Sequence, residues 1–207
     1  MREALREGRR EWAAAHGWSY APTASIRPDI LSGVLARVDV TVEDEITGPF
    51  GGRNAYVHDR APFVGGVHPS QFFRSVSAVD AGVAVPRAYV MMGSGRWFDA
   101  VYDLKRRAYF TPHVQGMTHL ARAGGTHIWC EPAGVAALQS VLGPLLEAGA
   151  PAAPAGARRT RMLIASAGQT VYVCDQLSFN VESDIQRLEL AHGLGVRYAQ
   201  LMQGTLR

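Results

Sequence analysis

The sequence predicts an α+β protein with an antiparallel β-rich N-terminal half and a C-terminal half ordered β-α-β-β-α. Three stretches carry that expectation. Residues 38–47 alternate, with Val38, Val40 and Val42 on one face and Asp39, Thr41 and Glu43 on the other, the pattern of a half-exposed antiparallel strand. After Gly93-Ser94-Gly95 the strand-like period gives way to mixed helix and strand. Thr160 to Met202 then reads as a hairpin followed by a long amphipathic helix. The division falls near residue 95: 1–95 holds an N-terminal helix and the β-rich part, 96–207 the α+β part, both in one compact unit.

Taken in order, Arg2 to His16 is expected to be a helix closed by Gly17 as its C-cap, with Leu5, Trp12 and Ala15 as a narrow apolar stripe. Gly8 weakens its middle by about 1 kcal/mol relative to Ala, so the helix needs a surface to lie on, and Trp12 is expected to be buried there. Trp18 to Pro28 reads as a connection because of Pro22 and Pro28. Gly48-Pro49-Phe50-Gly51-Gly52 reads as a loop ending the alternating strand. Ala55–His58 and Pro62–Val67 then suggest a hairpin turning at Asp59-Arg60. Phe72–Val79 and Ala84–Met92 are two further strand candidates.

In the second half, Thr111-Pro112 supplies a capping hydroxyl and a proline at the first helical position, predicting a helix to about Arg122. Thr126–Glu131 is a strand. Pro132 opens a helix with Val135, Leu138, Val141, Leu142 and Leu145 on one face, kinked or divided at Gly143-Pro144. Ala150–Ala157 is a Pro/Ala-rich loop. In the hairpin, Arg161–Ala167 and Thr170–Asp175 flank Gly168-Gln169. Gly at the first turn position suits a type II′ turn, which sets Ile164 opposite Val173 and Leu163 opposite Cys174. Both faces of this ribbon are apolar and need cover. On the final helix Val181, Ile185, Leu188, His192, Gly195, Ala199 and Met202 form the expected stripe, widened by Leu190, Leu194, Tyr198 and Leu201, and Gly193 and Gly195 are read as points of close packing.

Composition narrows the class. The 207 residues are 47% hydrophobic and 19% charged, ordinary globular values, with a formal net charge of +3 and a pI near 9.1. Lys105 is the only lysine, and the excess of Arg, Ala and Gly points to a GC-rich bacterial genome. The two cysteines, Cys130 and Cys174, are too few for a disulfide framework. The charged amino terminus lacks the apolar core of a signal peptide, so a cytoplasmic location is expected. The most apolar run, Pro132–Leu146, is shorter than the ~20 residues that span a bilayer, so no membrane segment is expected.

Several short pieces resemble, in the same order, uncharacterised proteins of high-GC bacteria. They are Trp12-Ala13-Ala14-Ala15-His16-Gly17-Trp18, His58-Asp59-Arg60-Ala61-Pro62-Phe63-Val64, Val85-Pro86-Arg87-Ala88-Tyr89-Val90 and Val141-Leu142-Gly143-Pro144. The resemblance spans nearly the whole chain and implies a β-rich front and an α/β back. It carries no established activity and no catalytic residues. Many such proteins look membrane-associated, whereas no span is read in this chain.

The side chains that bear chemistry do not assemble into a known signature. His113, His119, His127 and Cys130 are the densest ligand group, but residues six apart on a helix lie about 240° around its axis. His127 and Cys130 point to opposite faces of a strand. No metal and no cofactor is therefore expected. Gly93-Ser94-Gly95 lacks the spacing of a nucleophile elbow. Both cysteines lie in apolar strand patterns and read as inert. His192, in the apolar stripe of the last helix, is a candidate binding residue, as are Arg158, Arg159 and Arg161, which together with Lys105-Arg106-Arg107 form basic clusters able to hold phosphate. Arg2, Arg6, Arg9 and Arg10 interleave with Glu3, Glu7 and Glu11, a solvated ion-paired face.

The leading functional expectation is a non-enzymatic binding or assembly module acting on a protein partner or on a second copy of itself. It is motivated by the missing catalytic constellation, the dependent first helix and the aromatics Trp97 and Phe98 beside glycines. Nucleic-acid binding through the Arg clusters is the alternative, and an enzyme with a site assembled from distant residues is the third class.

Overall fold

The computed structural model describes residues 2–28, 39–60, 75–92, 116–121, 126–148, 162–175 and 180–204. Nine antiparallel strands form one sheet: β1 (Ser19–Pro28), β2 (Asp39–Phe50), β3 (Arg53–Arg60), β4 (Ser75–Asp80), β5 (Ala88–Met92), β6 (Thr118–Ala121), β7 (Thr126–Cys130), β8 (Met162–Ala167) and β9 (Thr170–Asp175). Their order across the sheet is β1-β2-β3-β4-β9-β8-β5-β7-β6, so β5 from the front of the chain is set between β8 and β7 from the back. Among the described residues three helices accompany it: α1 (Arg2–His16), α2 (Val135–Ala148), entered through a 3₁₀ turn at Pro132–Gly134, and α3 (Val181–Met202). The α+β class, the β-rich front and the β-α-β-β-α order of the back are those the sequence predicts.

The C-terminal hairpin has the predicted register. Gly168 takes φ +62°, Ile164 faces Val173 and Leu163 faces Cys174. Alternation then sorts its residues onto two faces. Ile164, Val171 and Val173 join Val57, Val79, Val90 and Ile128 beneath Ala13 of α1, Leu138 and Leu142 of α2, and Leu188 and Leu194 of α3. Leu163, Ala165 and Cys174 join Val76, Tyr89, Met91 and Trp129 in a second cluster on the opposite face. No helix among the described residues lies on that second face.

Several local expectations are corrected. The stretch read as a connection is strand β1, and its prolines are tolerated because β1 lies at the end of the sheet, where one side of the strand needs no ladder donors. β2 runs through Gly48 and Pro49 to Phe50. Gly51 and Gly52, at φ +57° and +76°, make the two-residue turn into β3, the pair of positive angles that a type I′ hairpin requires. Asp59 and Arg60 are not a turn: they pair with Glu43 and Val42. Thr118–Ala121 is strand β6, not helix; the Thr111-Pro112 start, like Pro62–Val67 and Ala150–Ala157, lies outside the described residues. α2 passes through Gly143-Pro144 undivided, the lost amide bond being offset by the burial of Leu138, Val141 and Leu142.

α1 presents a different face from the one its apolar residues suggest: it buries Leu5, Arg9 and Ala13, leaving Trp12 half-buried and Ala15 exposed. α3 buries Leu188, Leu194, Gly195, Tyr198 and Ala199 of the expected stripe together with Asp184, Arg187 and Ala191, whereas Met202 at its end is 65% exposed. An ion-pair network turns α1 toward Arg9 and adds Asp184 and Arg187 to the buried side of α3.

Candidate functional site

The network begins at an irregularity in β2. Between Glu43 and Ile46 the register against β3 slips, and Asp44 adopts φ +53°, a left-handed conformation that a short polar residue tolerates. The bulge turns Asp44 toward α1, where its carboxylate accepts from Arg6 Nε (2.8 Å) and the Tyr20 hydroxyl (3.1 Å). Arg9 is fully buried. It donates to both oxygens of Asp184 (2.8 and 3.1 Å), to Asp59 Oδ1 (3.0 Å) and to the Asp44 carbonyl (3.1 Å). Ser75 Oγ also donates to Asp59 (2.7 Å). Arg187 bonds Asp184 and reaches Ser77 Oγ at 3.3 Å. Burial works against the Arg9 charge, but Asp184 and Asp59 outweigh it and raise its pKa above the usual arginine value.

Arg9 is therefore not on a solvated face. It clamps α1 to the bulge of β2, to β3 and to the first turn of α3, where Asp184 also suits the positive end of the helix. Each donor and carboxylate of this cluster is spent on another. No nucleophile stands beside a free base in it.

A chain of rings runs along the same side. Trp12 stacks on His16 (4.2 Å) and meets Trp18 edge-on (5.0 Å); Trp18 contacts Phe50 (6.5 Å), which contacts His192 (5.9 Å). The Trp18 indole donates to the Pro49 carbonyl at 3.0 Å. Glycines shape this packing: a methyl at Gly48 would overlap the Trp18 indole, and one at Gly51 would overlap the His192 imidazole. His192, the histidine singled out in the sequence, is thus half-buried against the β2–β3 turn. Gly195 approaches Ala81 closely, but Gly193 has nothing within 4 Å, so close packing accounts for only one of the two glycines.

The sheet face opposite the described helices is built differently. Register partners share a face, and one row of partners crosses the sheet as Thr47, Tyr56, Ala78, Tyr172, Ala165, Tyr89, Trp129 and His119. Aromatic rings thus alternate with alanines from β3 to β8. At the β6 end His119 stacks on Trp129 (4.9 Å) and on His127 (5.8 Å). The two histidines are neighbours because β6 is a strand, not the helix the sequence suggests. Among the described residues no three side chains gather to hold a metal.

At the β2 end the same face opens into a groove of about 550 Å³, its walls including Thr47, Asn54, Tyr56, Asp80, Gln169 and Thr170. Inside the helical side, by contrast, the cavity next to Tyr198 and Ser166 measures about 10 Å³, room for a single water. The Tyr198 hydroxyl finds no hydrogen-bond partner there, and burial raises its pKa. Both cysteines are buried and unbridged, and burial pushes the Cys130 thiol up to about 11.

Arg158, Arg159 and Arg161, the Lys105-Arg106-Arg107 cluster, the Gly93-Ser94-Gly95 turn and the pair Trp97 and Phe98 lie outside the described residues. The groove was missed in the sequence because its polar residues come from four strands and are unremarkable singly; alternation in residues 53–60 and 170–175 is the signal that places them on one face.

Among solved structures, the chain is similar to the crystal structure of the mycobacterial trehalose monomycolate transport factor A, TtfA. The two share 16% sequence identity over 94% of each chain with a TM-score of 0.62. That likeness shows the fold. No family model and no curated protein sequence matches the chain. No described helix is long and apolar enough to cross a membrane.

Proposed function

We propose that the chain is a non-enzymatic binding or assembly module whose working surface is the groove at the β2 end of the sheet face opposite α1, α2 and α3. The observation that carries this is where charge and space lie. The ionisable groups closest together, Arg9, Asp184, Asp59 and Arg187, neutralise one another beneath α1, whereas the ligand-sized groove lies on the other face, walled chiefly by uncharged polar side chains. An acid–base site needs a base within reach of the proton it takes, and among the described residues the groove offers the single carboxylate of Asp80.

The fold shared with TtfA, described as a transport factor, supports a role in holding or handing on a component of an assembly. A protein partner or a second copy of the chain belongs to the same proposal, as does the cytoplasmic location. The described arginines of α1 are engaged with carboxylates; the nucleic-acid alternative rests on Arg158, Arg159 and Arg161, which lie outside the described residues.

Site-specific photocross-linking tests this in cells producing the full chain. A photoreactive residue at Asn54 or Thr170, on the groove face, is expected to yield discrete higher-mass products, and one at Glu189, exposed on α3, is not. Cross-links from Glu189 alone, or none from either face, would overturn the assignment of the surface.

A further inference from the structure

We propose that the groove binds a neutral polyhydroxylated ring, a sugar, either free or as the head group of a larger molecule. This rests on the groove being the binding surface and names what that surface takes.

The argument starts from the pleat. Thr47 and Pro49 on β2, Asn54 and Tyr56 on β3, Asp80 on β4 and Thr170 on β9 occupy alternate positions, so all project to the same side. Gln169 joins them from the β8–β9 turn. Ligand pockets are usually apolar with a few polar groups. Here polar and apolar surface are nearly balanced, the apolar part coming from the Tyr56 ring, Pro49 and Ala55. The polar side-chain groups are two amides, the hydroxyls of Thr47, Thr170 and Tyr56, and one carboxylate. An amide or a hydroxyl both donates and accepts, so the set matches a ligand whose own groups do both. A sugar hydroxyl is such a group.

Charge excludes the other classes. Among the described residues no lysine or arginine is in the wall, and Arg53 is turned to the Asp80 carbonyl (3.3 Å). Asp80 repels a phosphate or carboxylate ligand. One Asp80 oxygen already accepts from the Gly82 amide (2.8 Å), and a lone carboxylate is too few ligands for a divalent cation. The Tyr56 ring is held parallel to His58, 9° between planes at 5.7 Å, which offers a fixed aromatic face to the C–H face of a pyranose. The volume of about 550 Å³ falls within the range of roughly 300–1,000 Å³ typical of small-ligand sites and accommodates a disaccharide.

The test is an NMR titration of the full chain with glucose, maltose and trehalose, with glucose 6-phosphate as the charged analogue. In a parallel arm, flotation compares phosphatidylcholine vesicles with and without an alkyl glucoside. The expected result is shifts confined to the amides around Thr47, Asn54, Gln169 and Thr170, weaker for the phosphate. Affinity should fall roughly tenfold in the Asn54→Ala/Gln169→Ala chain, whose exposed positions leave the melting curve unchanged. A response to free saccharides identifies the free sugar as sufficient. A response only to glucoside vesicles identifies a head group. Silence in both arms, or binding unaltered in the double variant, overturns the sugar assignment. Cross-links retained from Asn54 would then show the binding face standing without it; their loss would remove both.

Discussion

Replacing Arg9 with Met keeps an apolar stem of similar reach and removes the guanidinium from the interior. The side chain is fully buried and donates four hydrogen bonds, two to Asp184 and one each to Asp59 and the Asp44 carbonyl. Breaking a buried pair costs about 3–5 kcal/mol because the remaining charge is stranded. Here Asp184 retains Arg187, and Asp59 retains the Ser75 hydroxyl, which places the cost toward the lower end, about 3 kcal/mol. For a chain of this length that is a fall in Tm of roughly 6–12 °C. Adding Asp59→Asn removes a stranded charge and should restore about 1 kcal/mol, so the double variant is more stable than Arg9→Met alone. Urea unfolding followed by tryptophan fluorescence measures both. An Arg9→Met loss below about 1 kcal/mol, or an Asp59→Asn effect that adds to it, would falsify the clamp.

Gly193→Ala, in the middle of α3 with nothing within 4 Å, should stabilise by about 1 kcal/mol, and a lower Tm would refute the open environment. Gly48→Ala drives a methyl into the Trp18 indole and should cost about 1–3 kcal/mol, read by thermal melting; no change would contradict the packing. Tyr198→Phe removes a buried hydroxyl without a partner and should be neutral or stabilising by about 1 kcal/mol, where a clear loss in urea unfolding would reveal a bond to that oxygen. Cys130 titrates at about 11 in the folded chain against an ordinary 9.0. Its pKa is raised, so its contribution is complete below pH 9 and is lost as the pH rises from about 9 through about 11. The stability of a Cys130→Ala chain should fall less steeply across that window than that of the unaltered chain, and equal slopes would exclude the thiol.

What was legible in the sequence was local. Gly168 and the alternating apolar residues on either side of it determine a hairpin register without help from the rest of the chain, and Gly17, at φ +71°, closes α1 where a glycine C-cap is expected. The apolar stripe of α3 was legible up to Met202, but the face of α1 was not. Apolar periodicity assigns Trp12 inward, but a buried arginine with partners from three other elements outweighs a narrow stripe of Leu5, one large ring and an alanine. Arg9 is drawn to Asp44, Asp59 and Asp184, which lie far from it in sequence and carry no mutual spacing to read. β1 was hidden for a related reason: proline argues against a strand unless the strand is at an edge, and only the assembled sheet says which strands are edges. The groove was hidden because a face is a property of register between strands, and single-chain alternation gives only its half.

The strand order also bears on how the chain is completed during synthesis. β1 to β4 form a meander that can assemble as soon as it emerges, but β5 does not continue it. The place beside β4 belongs to β9, and Asp80 must wait for Thr170. Until then β4 presents an unpaired row of amides and carbonyls, the kind of edge that recruits a second nascent copy. Such late, long-range closure is slow because loop entropy is spent before the contacts form. A ribosome stalled before Met162 would therefore release a chain whose two sheet halves have no strand to join them, and quality-control factors acting on this protein should recognise the β4 edge.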